Sequence, residues 1–149
     1  MTHNDALRSV ASLLHASDAT LIEILHLGGG DADLSAMASY LTRDDEEGSV
    51  PCPHEVMAHF LNGLVIYKRG QEEGRPPAAI ETVVTNNVIL KKVRVAFALK
   101  DADVAAIFAK AGLHVSKSER AGFFRHCEDR HYRECGDPVL RTFLTGLTR

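Results

Sequence analysis

One feature limits what this chain can fold into more than any other: it contains itself twice. Shifted by 83 positions, residues 4–64 lie over residues 87–147 without a gap. Identical pairs run from Asn4/Asn87, Leu7/Leu90, Val10/Val93, Asp18/Asp101 and Ile24/Ile107 through Gly29/Gly112, Ser35/Ser118 and Cys52/Cys135. They continue to Val56/Val139, Phe60/Phe143, Leu61/Leu144, Gly63/Gly146 and Leu64/Leu147. About a quarter of the aligned pairs are identical, and others agree in type, such as Arg8/Lys91, Leu21/Val104 and Tyr40/Phe123. The matches fall on periodic apolar positions and on turn residues, so one short unit is built twice.

Each copy reads as four helices. Leu7, Val10 and Leu14 share a face at helical spacing, as do Leu90, Val93 and Phe97, and the first helix is expected to start at Asn4 or Asn87 with that side chain as its cap. The second is expected to be capped by Asp18 or Asp101, and carries Leu21, Ile24 and Leu25 against Val104, Ile107 and Phe108. Gly28-Gly29-Gly30 and Gly112 stop it, because glycine accepts the left-handed conformation at a helix end. These glycines follow a helix and lack a Gly-Lys-Ser/Thr continuation, so they are no phosphate loop. The third helix carries Leu34, Met37, Ala38 and Leu41, and its partner opens on the capping-box pattern Ser116-Lys117-Ser118-Glu119. The fourth carries Val56, Phe60, Leu61 and Leu64, mirrored by Val139, Phe143, Leu144 and Leu147, with Asp137-Pro138 as cap and first-turn proline.

No stretch alternates with period two, and the β-branched Val83-Val84 and Val88-Ile89 straddle a helix start at Thr85-Asn86-Asn87. The expectation is an all-α protein of two tandem quasi-equivalent four-helix repeats, residues 1–70 and 86–149, with 71–85 as connector. A copy of about 60 residues buries too little surface to be robust alone. The two are therefore expected to pack about a pseudo-twofold axis into one compact eight-helix body.

At 149 residues with 45% hydrophobic content, the chain has material for a real core. No apolar run approaches the roughly 18 residues that cross a membrane, and the start lacks the basic and apolar stretches of a secretory signal. Three cysteines, an odd number, then read as reduced thiols in a cytoplasmic protein. A net charge of −3 argues against a protein built to coat nucleic acid.

Several segments make the assembled pattern distinctive: Asn4-Asp5-Ala6-Leu7-Arg8-Ser9-Val10, Asp45-Glu46-Glu47-Gly48 before Cys52, and Phe60-Leu61-Asn62-Gly63-Leu64 with Lys68-Arg69-Gly70. The second copy adds Asn86-Asn87-Val88-Ile89-Leu90-Lys91-Lys92-Val93-Arg94-Val95-Ala96-Phe97, Arg133-Glu134-Cys135-Gly136-Asp137 and Phe143-Leu144-Thr145-Gly146-Leu147. In these motifs the chain resembles, over nearly its whole length, the YehS-like family of small bacterial proteins, which carry two copies of a domain of unknown function. The resemblance implies a bacterial cytoplasmic protein and assigns no catalytic residue.

Four groups of residues carry chemistry worth placing. Asp44, Asp45, Glu46 and Glu47 form an acidic run after the third helix, suited to a divalent cation or a basic peptide, or simply solvated. The equivalent loop of the second copy, with Arg130, His131, Arg133 and Glu134, is unlike it, and under a twofold the two loops are candidates to pair. Cys127, His131 and Cys135 offer zinc-ligand types at four-residue spacing, yet Cys52 and Cys135 are repeat equivalents, which fits buried packing positions. Lys91, Lys92 and Arg94 make a basic stretch that suits phosphate contact or a solvated helix face. Finally, the fourth helix of copy one runs on through Val65, Ile66 and Tyr67, either to pack on the connector or to form a contact surface.

No nucleophile–base pair and no cofactor fingerprint accompanies these groups. The sequence therefore reads as a non-enzymatic interaction or regulatory module without a cofactor, acting on a protein partner through a groove between the copies or through the unlike loops. A homodimer is compatible with this, and membrane contact is not expected. Two alternatives stand beside it: nucleic-acid binding through the basic helix of the second copy, and a metal-dependent enzyme at the loops between the copies.

Overall fold

A computed structural model describes residues 1–70, 79–80 and 83–148. The first copy folds as α1 (His3–Leu14), α2 (Asp18–Leu27), α3 (Leu34–Leu41) and α4 (His54–Arg69). The second folds as α5 (Asn86–Ala96), α6 (Asp101–Lys110), α7 (Lys117–Phe123) and α8 (Asp137–Leu147). Among the described residues there is no strand. Residues 71–78, 81 and 82 of the expected connector lie outside the described residues.

The two copies exchange their outer helices. α1 of the first packs on α8 of the second, and α5 of the second packs on α4 of the first. These are equivalent contacts under the repeat, so the pseudo-twofold is built from helix-one-on-helix-four pairs. Each copy closes over its own apolar stripe, and one cluster joins Leu7, Val10, Ile24, Phe60 and Leu64 to Leu90, Val93, Phe108, Phe143 and Leu144. Phe108 and Phe143 meet at 5.9 Å between ring centroids.

Helix starts differ from the expected ones, and the difference is informative. Thr2 and Thr85 cap α1 and α5, their hydroxyls accepting from the backbone N–H of Asp5 and Val88. Asn4 and Asn87 lie inside the helices and are buried. In the first copy Asn4 donates to the Val50 carbonyl at 2.9 Å and accepts from the Cys52 N–H at 2.6 Å. In the second, Asn87 accepts from the Cys135 N–H at 2.8 Å and donates to the carbonyls of Phe123 and Arg133, at 3.0 and 2.8 Å. The repeated asparagine is thus a clamp that ties the first helix to the segment entering the fourth.

Asp18 and Asp101 are likewise first helical residues rather than caps; Ser17 caps α2, and Lys100 stands at the corresponding place before α6. Released from capping, Asp101 takes a bidentate bond from Arg120, at 3.1 Å to each carboxylate oxygen. Ser116 caps α7 by accepting from Glu119 N–H, while the Glu119 carboxylate turns to Arg133 at 3.6 Å. Asp137 is the first residue of α8 with Pro138 next, and Gly136 holds the cap position.

The copies are packed with unequal closeness. Gly63 lets α4 approach α2 so nearly that a Cβ there would lie 1.8 Å from the Ile24 carbonyl oxygen. A Cβ on Gly28 would lie 1.8 Å from the His59 carbonyl oxygen. In the second copy Gly28 is replaced by Ala111, and a Cβ on Gly146 would lie 2.6 Å from the Ile107 side chain but 3.6 Å from its carbonyl oxygen, an ordinary contact. The extra turns of α4 reach beside α5: Lys68 sits over the Phe97 ring at 4.9 Å, and Arg69 donates to the Val95 carbonyl at 3.4 Å. Tyr67 on that extension is exposed.

Candidate functional site

Twofold repetition brings four helix starts to one end of the body, and there the copies have diverged at matching positions. His3 meets His54 in copy one, Nε2 to Nδ1 at 2.7 Å. At the equivalent positions in copy two, Asn86 donates to Asp137 at 2.7 Å. The Val84 N–H donates to His54 at 3.1 Å, and its counterpart, the Met1 amino group, pairs with Asp137. Burial first, and then the neighbouring His54, keep the His3 imidazole below its ordinary pKa. The Asp137 carboxyl is held below the carboxylate range by the Met1 ammonium first, then by Asn86, with Arg141 adding to it.

From that end a cleft of about 460 Å³ runs between α1 and α8. α1 contributes Asp5, Arg8, Ser9 and Ser12; α8 and its cap contribute Arg141, Leu144, Thr145 and Thr148. Both sets follow the spacing i, i+3, i+4, i+7, so each is one stripe of one helix. Arg43, from the loop after α3, completes the lining with Met1. The equivalent α4–α5 contact is packed more closely, and the residues explain why. Where the cleft has Asp5, Ser12, Arg141 and Thr148, the other contact has Val88, Val95, Ala58 and Val65. Small and apolar side chains let α4 and α5 close; charged and hydroxylated ones keep α1 and α8 apart and wet.

The cleft's charges are ordered. Arg8 pairs with Asp5, donates to the Thr42 carbonyl at 2.9 Å and lies 3.8 Å from Asp44. Burial pushes the Asp5 carboxyl up, but donors from the Thr2 backbone and hydroxyl, together with the Arg8 guanidinium, bring it below its ordinary value. Arg43 and Arg141 have no carboxylate within 4.0 Å among the described residues. Their side chains are exposed.

The residues singled out from the sequence are scattered relative to this cleft. Asp44 lies beside it, bonded by the Thr2 hydroxyl at 3.2 Å, while Asp45, Glu46 and Glu47 are exposed in the following turn. In the second copy Arg130 contacts the neighbouring His131 ring at 3.1 Å, Arg133 reaches Glu119, and Glu134 is exposed. The ion pairs of the two loops run to their own copies, Asp44 to Arg8 and Arg125 to Asp129, and none joins one loop to the other among the described residues.

Cys135 is buried and Cys127 exposed, and no group of three His, Cys, Asp or Glu side chains among the described residues is arranged to hold a metal ion. Arg94 spends its charge internally, bonding the Leu99 carbonyl at 3.1 Å and lying 4.3 Å from the centroid of the Phe124 ring. Lys92 is half-buried and engaged, which leaves Lys91 as the exposed cation of that stretch.

Sequence reasoning did not single out Arg8, Arg43 and Arg141. The signal that marks Arg43 and Arg141 is the mismatch between copies, Arg141 against Ala58 and Arg43 against His126, whereas Arg8 matches the basic Lys91 and carries no such signal.

Comparison with known proteins follows the same division of the chain. The family model described as "Protein of unknown function (DUF1456)" matches twice, over residues 3–70 and 86–149. The protein described as "Uncharacterized protein YehS", from Escherichia coli (strain K12), is 43% identical over 147 residues, covering 99% of this chain and 94% of that protein. No solved structure matches the chain significantly.

Proposed function

The chain belongs to the DUF1456 family, and from its own architecture we propose that it is a non-enzymatic cytoplasmic binding module whose ligand lies in the cleft between α1 and α8. One observation carries this reading: duplication produced two equivalent helix-one-on-helix-four contacts, and where one has Asp5, Ser12, Arg141 and Thr148 the other has Val88, Val95, Ala58 and Val65. A second apolar contact would have stabilised the fold more, since each buried aliphatic side chain contributes about 1.5–3 kcal/mol. Retaining a polar cleft instead is what a binding function requires. Its volume suits a small molecule rather than a protein segment. No helix among the described residues is long and apolar enough to cross a membrane.

The test is a fragment panel of anionic, neutral and cationic small molecules titrated into ¹⁵N-labelled protein. Amide shifts are expected to cluster on residues 8–12 and 141–148. Shifts clustered on Lys91 and its neighbours would favour the basic helix instead. The absence of any clustered shift at millimolar fragment would overturn the reading.

A further inference from the structure

Resting on that reading of the cleft, we infer that its ligand is a small phosphate monoester bearing hydroxyl groups. Among the described residues three guanidiniums line the cleft against one carboxylate, those of Arg8, Arg43 and Arg141 against that of Asp5. Arg8 is held by Asp5, Thr42 and Asp44, whereas Arg43 and Arg141 are exposed and have no carboxylate within 4.0 Å among the described residues. A guanidinium fork matches the oxygens of phosphate bidentately, and such charge-assisted bonds are about twice as strong as neutral ones. The three cations also come from three separate elements: α1, the loop after α3, and α8. That arrangement suits the three oxygens of a phosphate monoester better than the two coplanar oxygens of a carboxylate.

The remainder of the lining specifies the rest of the ligand. Ser9, Ser12, Thr145 and Thr148 provide hydroxyls that both donate and accept. Thr148 donates to the Thr145 carbonyl at 2.7 Å and keeps its lone pairs for an incoming donor. The Asp5 carboxylate, kept ionised by Thr2 and Arg8, accepts from ligand hydroxyls. Among the described residues no aromatic ring lines the cleft, which leaves a nucleobase nothing there to stack on. A phosphorylated polyol therefore fits these walls better than a nucleotide or a nucleic-acid strand.

The experiment titrates the ¹⁵N-labelled full chain with inorganic phosphate, glucose 6-phosphate, glucose and succinate, reading backbone amides and the arginine side-chain N–H signals. Inorganic phosphate at millimolar concentration is expected to move the Arg43 and Arg141 side-chain signals. Glucose 6-phosphate is expected to bind about tenfold more tightly, a difference of about 1.4 kcal/mol, and glucose alone to be silent. Arg141→Ala, which installs the residue found at equivalent position 58, is expected to weaken phosphate at least tenfold with an unchanged urea midpoint, and Arg141→Lys to recover part of the loss.

Silence of both arginines toward phosphate overturns this inference, as does succinate binding as tightly as the phosphate probes. In either case the cleft reading stands if other fragments still shift residues 8–12 and 141–148. If neither panel shifts the cleft, both fall. Phosphate binding unchanged in Arg141→Ala also overturns the inference, since the anion would then be held elsewhere.

Discussion

The asparagine clamp allows a prediction in which each copy controls for the other. Asn87→Ala removes one acceptor and one donor pair, stranding the Cys135 N–H and the carbonyls of Phe123 and Arg133. Asn4→Ala strands two groups, the Cys52 N–H and the Val50 carbonyl, and Val50 is an exposed residue whose carbonyl can take water instead. A buried polar group left without its partner costs about 1–3 kcal/mol. Taking about 1 kcal/mol for each group stranded, with the carbonyls of the exposed Val50 and Arg133 partly rescued by water, Asn87→Ala should cost about 2.5 kcal/mol and Asn4→Ala about 1.5 kcal/mol. Against a typical total of about 5–15 kcal/mol, either loss is large.

Urea unfolding followed by far-ultraviolet circular dichroism reads the difference directly, provided the slope with denaturant is unchanged. The isostere Asn87→Asp sharpens the test. Its carboxylate still accepts from Cys135 but faces two carbonyl oxygens it cannot serve, so at neutral pH it should be at least as destabilising as alanine. Part of the loss should return as acid protonates it. If Asn4→Ala proves the costlier alanine variant, or if both alanine variants lie within about 0.5 kcal/mol of the parent, the clamp is not what holds these loops.

Three further outcomes follow from the structure. Gly63→Ala places a Cβ against the backbone oxygen of Ile24, while the close contact of Gly146→Ala is with the Ile107 side chain. Overpacking should therefore cost about 3 kcal/mol at the first site and about 1 kcal/mol at the second, measured by urea midpoint; equal costs would count against the closer approach of α4 to α2. Burial pushes the Cys52 and Cys135 thiols up to about 12, with Asp137 adding to the effect at Cys135. Cys127 is exposed, so iodoacetamide should alkylate one site in the native protein and three after unfolding, with the native adduct mapping to Cys127 by mass spectrometry.

The pKa of His3 is lower folded than unfolded. Its contribution is therefore fully present above pH 6.5 and is lost as the pH falls from 6.5 through the depressed folded value. His3→Asn, which installs the residue at equivalent position 86, should flatten the stability slope just below pH 6.5; a variant with the parental slope would remove His3 from that role.

The sequence by itself determined the repeat, the helical class and the core stripes. Its periodic apolar positions Leu7, Val10, Ile24, Phe60 and Leu64 end up buried, as do Leu90, Val93 and Phe143, while Ile107 and Leu147 are partly buried against the same core. Helix stops were legible for the same local reason, since Gly29 and Gly112 take the left-handed φ values of 92° and 76° that glycine accepts freely. Caps were less legible. Asn and Thr both suit a helix start, and what moved Asn4 and Asn87 inside was a bond to a segment 48 residues away.

The candidate site was hardest to see. Arg8, Arg43 and Arg141 lie far apart in the chain, and each alone resembles an ordinary surface cation. Only the exchange of outer helices between copies sets α1 beside α8 and Arg43 at their edge. Local sequence fixes which face of a helix is apolar, because that depends on spacing along one helix. Which polar faces then meet depends on how two copies pack, and that was decided by the tertiary structure alone.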